Sequence, residues 1–145
     1  MLKLGFKLEK CVSYITENSI KQISDKFSKQ LEEKGITRIQ WIALYYLNSN
    51  EEISQKDLAK KMSIKDSSVA RLLDRMKKEE LIERVKSEED RRVTYIHLTE
   101  KGKEMIERLL PEGEVFSCKM LEDVSEEELE IFENVIRKMV ANSLK

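Results

Sequence analysis

Along most of the chain, apolar residues return every three or four positions, the spacing of one face of a helix. Leu8, Val12, Ile15, Ile20, Ile23, Phe27 and Leu31 mark the first such stretch, among Lys, Glu, Gln, Asp and Ser. They predict one long helix over residues 4–34, ended by Gly35. Thr37 reads as the N-cap of a second helix. Its run from Trp41 to Leu47 is apolar nearly all round, which predicts a buried helix. Residues 48–52 are polar and loop-like, and Ile53 is expected to add a short edge strand.

Ser54, four residues before Leu58, predicts the cap of a short helix that turns Leu58, Ala59 and Met62 inward. Ser63 to Lys65 forms a tight connection, and Asp66 or its neighbour caps the next helix. Val69, Leu72, Leu73 and Met76 fall at i, i+3, i+4 and i+7 and fix its core face. The period then changes. Leu81–Lys86 and Val93–Leu98, rich in β-branched and aromatic residues, flank the charged SEEDRR and predict a β-hairpin. Thr99 begins a long helix in which Gly102 allows close backbone approach and Met105, Ile106, Leu109 and Leu110 form the stripe. Pro111 and Gly113 interrupt it before Phe116, Met120 and Leu121 resume, so a kink is expected there and not a domain boundary. Ser125 and Glu128 have capping-box spacing and open a last helix carrying Leu129, Phe132, Ile136, Met139 and Leu144. Two helices followed by a hairpin, from Ser54 to Gly102, read as a winged helix-turn-helix. The fold class is mainly α with a small β-hairpin wing.

Composition adds bounds to this picture. The 145 residues are one domain's worth, with 38% charged, 40% hydrophobic, four Gly and one Pro, as in a soluble, helix-rich protein. The start lacks an apolar core of signal-peptide length, and Trp41–Leu47 is the longest apolar run, far short of a membrane span. A cytoplasmic protein is expected, with no membrane partner. Cys11 and Cys118 are far apart and without CxxC spacing, so neither a disulfide framework nor a zinc cluster is indicated. No phosphate-cradling Gly-rich loop, HExxH or nucleophile elbow occurs, and the single histidine, His97, falls in the second wing strand as a structural residue. No enzyme, cofactor or metal is expected.

The formal charge of −1 is unevenly spread. Residues 54–98 hold twelve basic and nine acidic side chains, whereas residues 99–145 hold seven and twelve. Phosphate contacts answer to local potential more than to total charge, so the central segment is where nucleic acid would bind. On its second helix Lys65, Ser67, Ser68, Ala70, Arg71 and Arg75 stay outside the core stripe. They form a small, hydroxyl-rich, basic surface suited to a major groove. At the hairpin tip Arg91 and Arg92 suit a minor groove or phosphates, with Asp90 placed to orient an arginine by a charge-assisted hydrogen bond.

Three stretches together resemble the MarR family of bacterial and archaeal transcription regulators: LAKKMSIKDSSVARLLDRMKKEELIER, the D-x-R of Asp90 and Arg92, and LTEKG from Leu98 to Gly102. More loosely, the likeness extends over the whole chain as a single domain. It implies a winged region at 37–98 flanked by dimerisation helices at 1–36 and 99–145. The resemblance implies a homodimer on double-stranded DNA at a palindromic operator, commonly a repressor whose affinity changes with a small-molecule effector or with oxidation. Phe27, Trp41 and Tyr45 would line the effector cleft. In the hydroperoxide-sensing branch a reactive cysteine lies near the start of the first helix. Cys11 is in that region, although the matching place falls nearer Ser13, and Phe27 stands about where a supporting tyrosine belongs. Beside an apolar stripe, Cys11 is expected to have a raised pKa and a structural role. A winged-helix adaptor that binds protein is the remaining alternative. The chain departs from the family at Glu80, where members usually carry Gly in a left-handed helix cap; a non-Gly residue there would cost about 1 kcal/mol, and the turn is expected to differ slightly.

Overall fold

A computed structural model describes residues 5–145; residues 1–4, part of the expected first helix and of the N-terminal flank, lie outside them. Six α-helices and a three-stranded antiparallel sheet follow one another as α1 (Val12–Glu32), α2 (Arg38–Ser49), β1 (Ile53–Ser54), α3 (Gln55–Met62), α4 (Asp66–Lys78), β2 (Ile82–Lys86), β3 (Thr94–Leu98), α5 (Glu100–Met120) and α6 (Glu126–Ser143). Mainly helical with a small hairpin wing, this is the architecture the spacing predicts.

The caps explain several boundaries. Thr37 and Gln40 form a reciprocal capping box at the start of α2, as do Ser125 and Glu128 at α6, and the Ser54 hydroxyl accepts the Asp57 N–H at α3. Gly35, at φ 83°, supplies the left-handed residue that ends the turn after α1. Two expectations need correction. The first helix begins at Val12, because Leu8–Lys10 closes as a separate 3-10 turn and Cys11 between them is extended (φ −74°, ψ 117°). Nor is α2 buried all round: Ala43, Leu44 and Leu47 are, whereas Trp41, Ile42 and Tyr46 are half-buried and Tyr45 is exposed.

The core is centred on the winged region and takes in Leu31 of α1 and Ile106 of α5. Leu44, Leu58, Val69, Leu72, Leu73, Met76, Leu81, Ile96 and Ile106 are all at or below 1% exposed. In the sheet, ordered β1-β3-β2, Ile53 pairs with Ile96 and Arg84 also faces Ile96, so β3 is the central strand. The end of α4, the start of the wing and the start of α5 meet at one junction. Leu81 N–H donates to the Met76 carbonyl and Glu80 N–H to that of Lys77, the Schellman pattern, with Glu80 at φ 61°. The left-handed turn is therefore kept despite the missing glycine. Thr99 donates its N–H to the Leu81 carbonyl and its hydroxyl to that of Glu80, and accepts the Gly102 N–H. A Cβ on Gly102 would collide with the Leu81 carbonyl oxygen, which is the close approach the sequence anticipates.

The chain divides into two compact units, one up to Glu112 and the other Gly113–Lys145. This division falls beside Pro111, where the sequence predicts a kink and no boundary; helix α5 is itself unbroken across Pro111 and Gly113. Within the second unit α6 buries no residue, and Ile131, Phe132, Val135 and Val140 are exposed. At the other end of the chain, Phe6, Leu8, Val12, Ile15 and Ile20 are exposed as well. No described helix is long and apolar enough to cross a membrane.

Candidate nucleic-acid interface

Helix α3 and α4 are joined by three residues, of which Ser63 takes the left-handed conformation (φ 55°) that turns the chain sharply. The N-cap of α4 is Lys65, without a side-chain bond, and Asp66 is the first helical residue. The buried Val69, Leu72, Leu73 and Met76 stripe fixes the rotation of α4. It leaves Lys65, Ser67, Ser68, Arg71 and Arg75 exposed and Ala70 half-buried, all on the surface the pattern assigned to them.

At the wing tip a small hydrogen-bonded cage replaces a loose turn. Ser87 N–H donates to the Val93 carbonyl, Val93 N–H to that of Asp90, and Asp90 N–H to the Ser87 hydroxyl. The Asp90 carboxylate then accepts three bonds from Arg92: the backbone N–H (3.1 Å) and Nε (3.0 Å) on Oδ1, and Nη2 (3.1 Å) on Oδ2. This bidentate arrangement holds the Asp90 carboxyl below its ordinary pKa and raises that of Arg92. The Arg92 side chain is 89% exposed, so its guanidinium is oriented yet open to solvent; Arg91 is exposed beside it. The predicted Asp90 to Arg92 bond is thus present.

The wing and the starts of α3 and α4 share one cleft. Arg92, Val93 and Thr94 line a cleft of about 370 Å³ together with Asp66 and with Ser54, Gln55 and Lys56 at the start of α3. Gln55 and Lys56, absent from the residues expected at the interface, line this cleft because both directly follow the Ser54 cap in the first turn of α3. Arg84 is absent from those expected residues too. From β2 its guanidinium reaches α4, with Nη1 2.6 Å from Asp74 Oδ1 and Nη2 donating to the Ala70 carbonyl at 3.0 Å.

The residues expected at an effector cleft do come together. Phe27 meets Trp41 edge to face (5.3 Å between centroids), and Trp41 stacks on Tyr45 at 6.2 Å. Trp41 is anchored by Nε1 donating to the Leu109 carbonyl at 2.9 Å. Phe27 is buried, so it presents little surface to a ligand, whereas Tyr45 is exposed. Cys11 departs from expectation. Placed at the N-cap of α1, its thiol sits 3.2 Å from the Ser13 hydroxyl, and its pKa is lowered, first by that hydrogen bond and then by the Tyr14 backbone. Desolvation, the reason for expecting a raised pKa, is present but outweighed by these hydrogen bonds. His97 is half-buried on β3 opposite Glu83, Cys118 is exposed, and no cluster fit to hold a metal occurs among the described residues.

A helix held by its own buried stripe so that its polar face points outward, flanked by a hairpin with an oriented arginine, defines a winged helix-turn-helix protein. A family model described as MarR family matches residues 34–93. The uncharacterized HTH-type transcriptional regulator YsmB of Bacillus subtilis is 34% identical over 117 residues, spanning 81% of this chain and 80% of that relative. Among solved structures, S. aureus MepR in complex with DNA aligns at a TM-score of 0.84 and 26% identity, over 91% of this chain and 98% of that one. Bordetella bronchiseptica BpsR shares the fold at a TM-score of 0.85 and 20% identity, over 94% and 98%. The chain belongs to the MarR family of helix-turn-helix transcriptional regulators.

Proposed function

We propose that this regulator is a homodimer that represses from a palindromic double-stranded operator and is released by a small-molecule ligand. One observation supports the DNA reading: Arg92, fixed by Asp90, lines one cleft with Asp66 at the start of α4, whose Ser67, Ser68, Arg71 and Arg75 are exposed. Lys65, Ser67, Ser68, Ala70, Arg71 and Arg75 read the major groove, while Asp90, Arg91 and Arg92 serve the adjacent minor groove and phosphates. S. aureus MepR, similar over nearly all its length, is seen in complex with DNA. Exposed apolar side chains on residues 6–20 and on α6 support the dimer, since an isologous contact buries such surface twice. Two recognition helices then meet successive major grooves at a separation of about 34 Å.

Release follows if a ligand prefers a spacing that DNA does not accept. The exposed end of the Phe27, Trp41 and Tyr45 stack is the aromatic surface for it. BpsR is a fold relative whose DNA binding is regulated by 6-hydroxynicotinic acid. Selection of duplexes from a random pool, followed by titration at several salt concentrations, tests the DNA reading. Affinity should fall steeply with salt, with a log-log slope of about −0.9 per phosphate contact. A protein adaptor would show no duplex affinity at low salt. Sedimentation at micromolar concentration should give a dimer.

The Cys11 geometry favours a second reading, release by oxidation. A thiol with lowered pKa beside a hydroxyl holds more thiolate, the form that peroxide attacks. Mass spectrometry after mild peroxide, with operator binding followed in parallel, decides between the two signals.

A further inference from the structure

We propose that Arg84 is a positioning residue for base discrimination: it ties the wing to the recognition helix without itself touching DNA, a role that rests on the DNA reading above. Along β2 the side chains alternate, and Arg84 falls on the same face as the buried Ile82. Its side chain is only 22% exposed, against 63% for its partner Asp74. Nη1 lies 2.6 Å from Asp74 Oδ1, and Nη2 donates to the Ala70 carbonyl at 3.0 Å. Ala70 and Asp74 are four residues apart, so the planar fork grips one full turn of α4 from the side. That turn carries Arg71.

The strut also has a cost that a purely incidental surface pair would not bear. Arg84 Nε is buried with no hydrogen-bond partner. A lysine avoids the orphaned N–H but, as a compact ammonium, cannot span a carboxylate and a carbonyl in one fixed plane. Beyond Arg84 the wing leaves the core, for Val85 and Lys86 are exposed. Arg84 is therefore the last point at which β2 is tied to α4 before the tip that bears Arg92. Fixing this point fixes the separation of groove reader and wing, which must match the DNA at both places for the correct sequence to be told from others.

The test compares wild type with Arg84→Lys and Asp74→Ala, using the duplex enriched from the random pool and a scrambled duplex across a salt series. Amide hydrogen exchange of the DNA-free proteins is measured alongside. Arg84→Lys should lower the ratio of specific to scrambled affinity about tenfold, the worth of one misplaced base contact, with the salt slope unchanged because no phosphate contact is lost. Asp74→Ala removes an exposed negative charge from α4, so simple electrostatics predicts tighter binding; the strut predicts reduced discrimination instead. In both variants β2 and the turn of α4 from Ala70 to Asp74 should lose exchange protection while α2 keeps it. A shallower salt slope in Arg84→Lys would show a direct phosphate contact and overturn the proposal. So would tighter binding with unchanged discrimination in Asp74→Ala, or unchanged exchange in both. If the wild type itself fails to discriminate between duplexes, the DNA reading falls, and the exchange data alone decide whether the strut exists.

Discussion

Helices α4 and α6 are both amphipathic, yet they end up in opposite states. Every apolar position of the α4 stripe, Val69, Leu72, Leu73 and Met76, is at or below 1% exposed. On α6 Leu129, Ile136 and Met139 are half-buried, and Phe132 is 52% exposed. The same periodicity therefore means different things. In α4 it records contacts made within the chain, which fix the helix's rotation and with it the choice of residues facing outward. In α6 it records apolar surface that stays largely exposed, for which a second copy is the proposed occupant.

Substitution in the two stripes should separate these roles most widely. Leu73→Ala deletes a fully buried side chain and should cost about 2–5 kcal/mol in urea unfolding, through lost transfer energy and the cavity left behind. Phe132→Glu should leave the winged region's hydrogen-exchange protection intact while shifting sedimentation from dimer to monomer. A monomeric wild type would break the comparison at its second half. Next in size are the readers. Under the proposed function Arg71→Ala should cost about 1–3 kcal/mol of discrimination if Arg71 bonds a base, whereas Arg92→Ala should weaken specific and scrambled binding together. Titrations on matched and mismatched duplexes check both.

A smaller effect sharpens how far α4 depends on its end. Glu80→Gly relieves a left-handed residue, φ 61°, and should raise stability by about 1 kcal/mol without altering affinity, as read by thermal unfolding beside a binding titration. The smallest concerns pH at the wing. Asp90 has a folded pKa below its unfolded value, so its contribution is full above the ordinary carboxylate range and is lost as pH falls through the lowered value. The Arg92 Nε–H signal followed by NMR should thus stay fixed through neutral pH and move only in acid.

How much of this was legible in the sequence depended on whether a feature is local. The caps at Thr37, Ser54 and Ser125 and the α4 stripe are written within a few adjacent residues, and they appear as read. The D-x-R pair is equally local, two residues apart, and so is its hydrogen bond. Arg84 was not legible because its partners are 10 and 14 residues away, across a turn, and in sequence it is one charge among many. Cys11 was misjudged for a related reason. Periodicity ran through residues 8–12 without showing that the chain breaks there, and the break is what turns the thiol from a helix face to a helix start. The exposed Tyr45 teaches the converse, since an apolar run reports composition and not which of its sides is covered.

The junction of Glu80, Leu81, Thr99 and Gly102 has a mechanical meaning. Three backbone carbonyls in succession, those of Glu79, Glu80 and Leu81, accept from Lys101 or Thr99, and Gly102 is seated against the last of them. The first turn of α5 and the last turn of α4 are clamped to each other like two arms of one crank, with the left-handed Glu80 at its elbow. The start of α5 and the end of α4 are thereby joined through three hydrogen bonds and one close backbone approach, and not through an open loop.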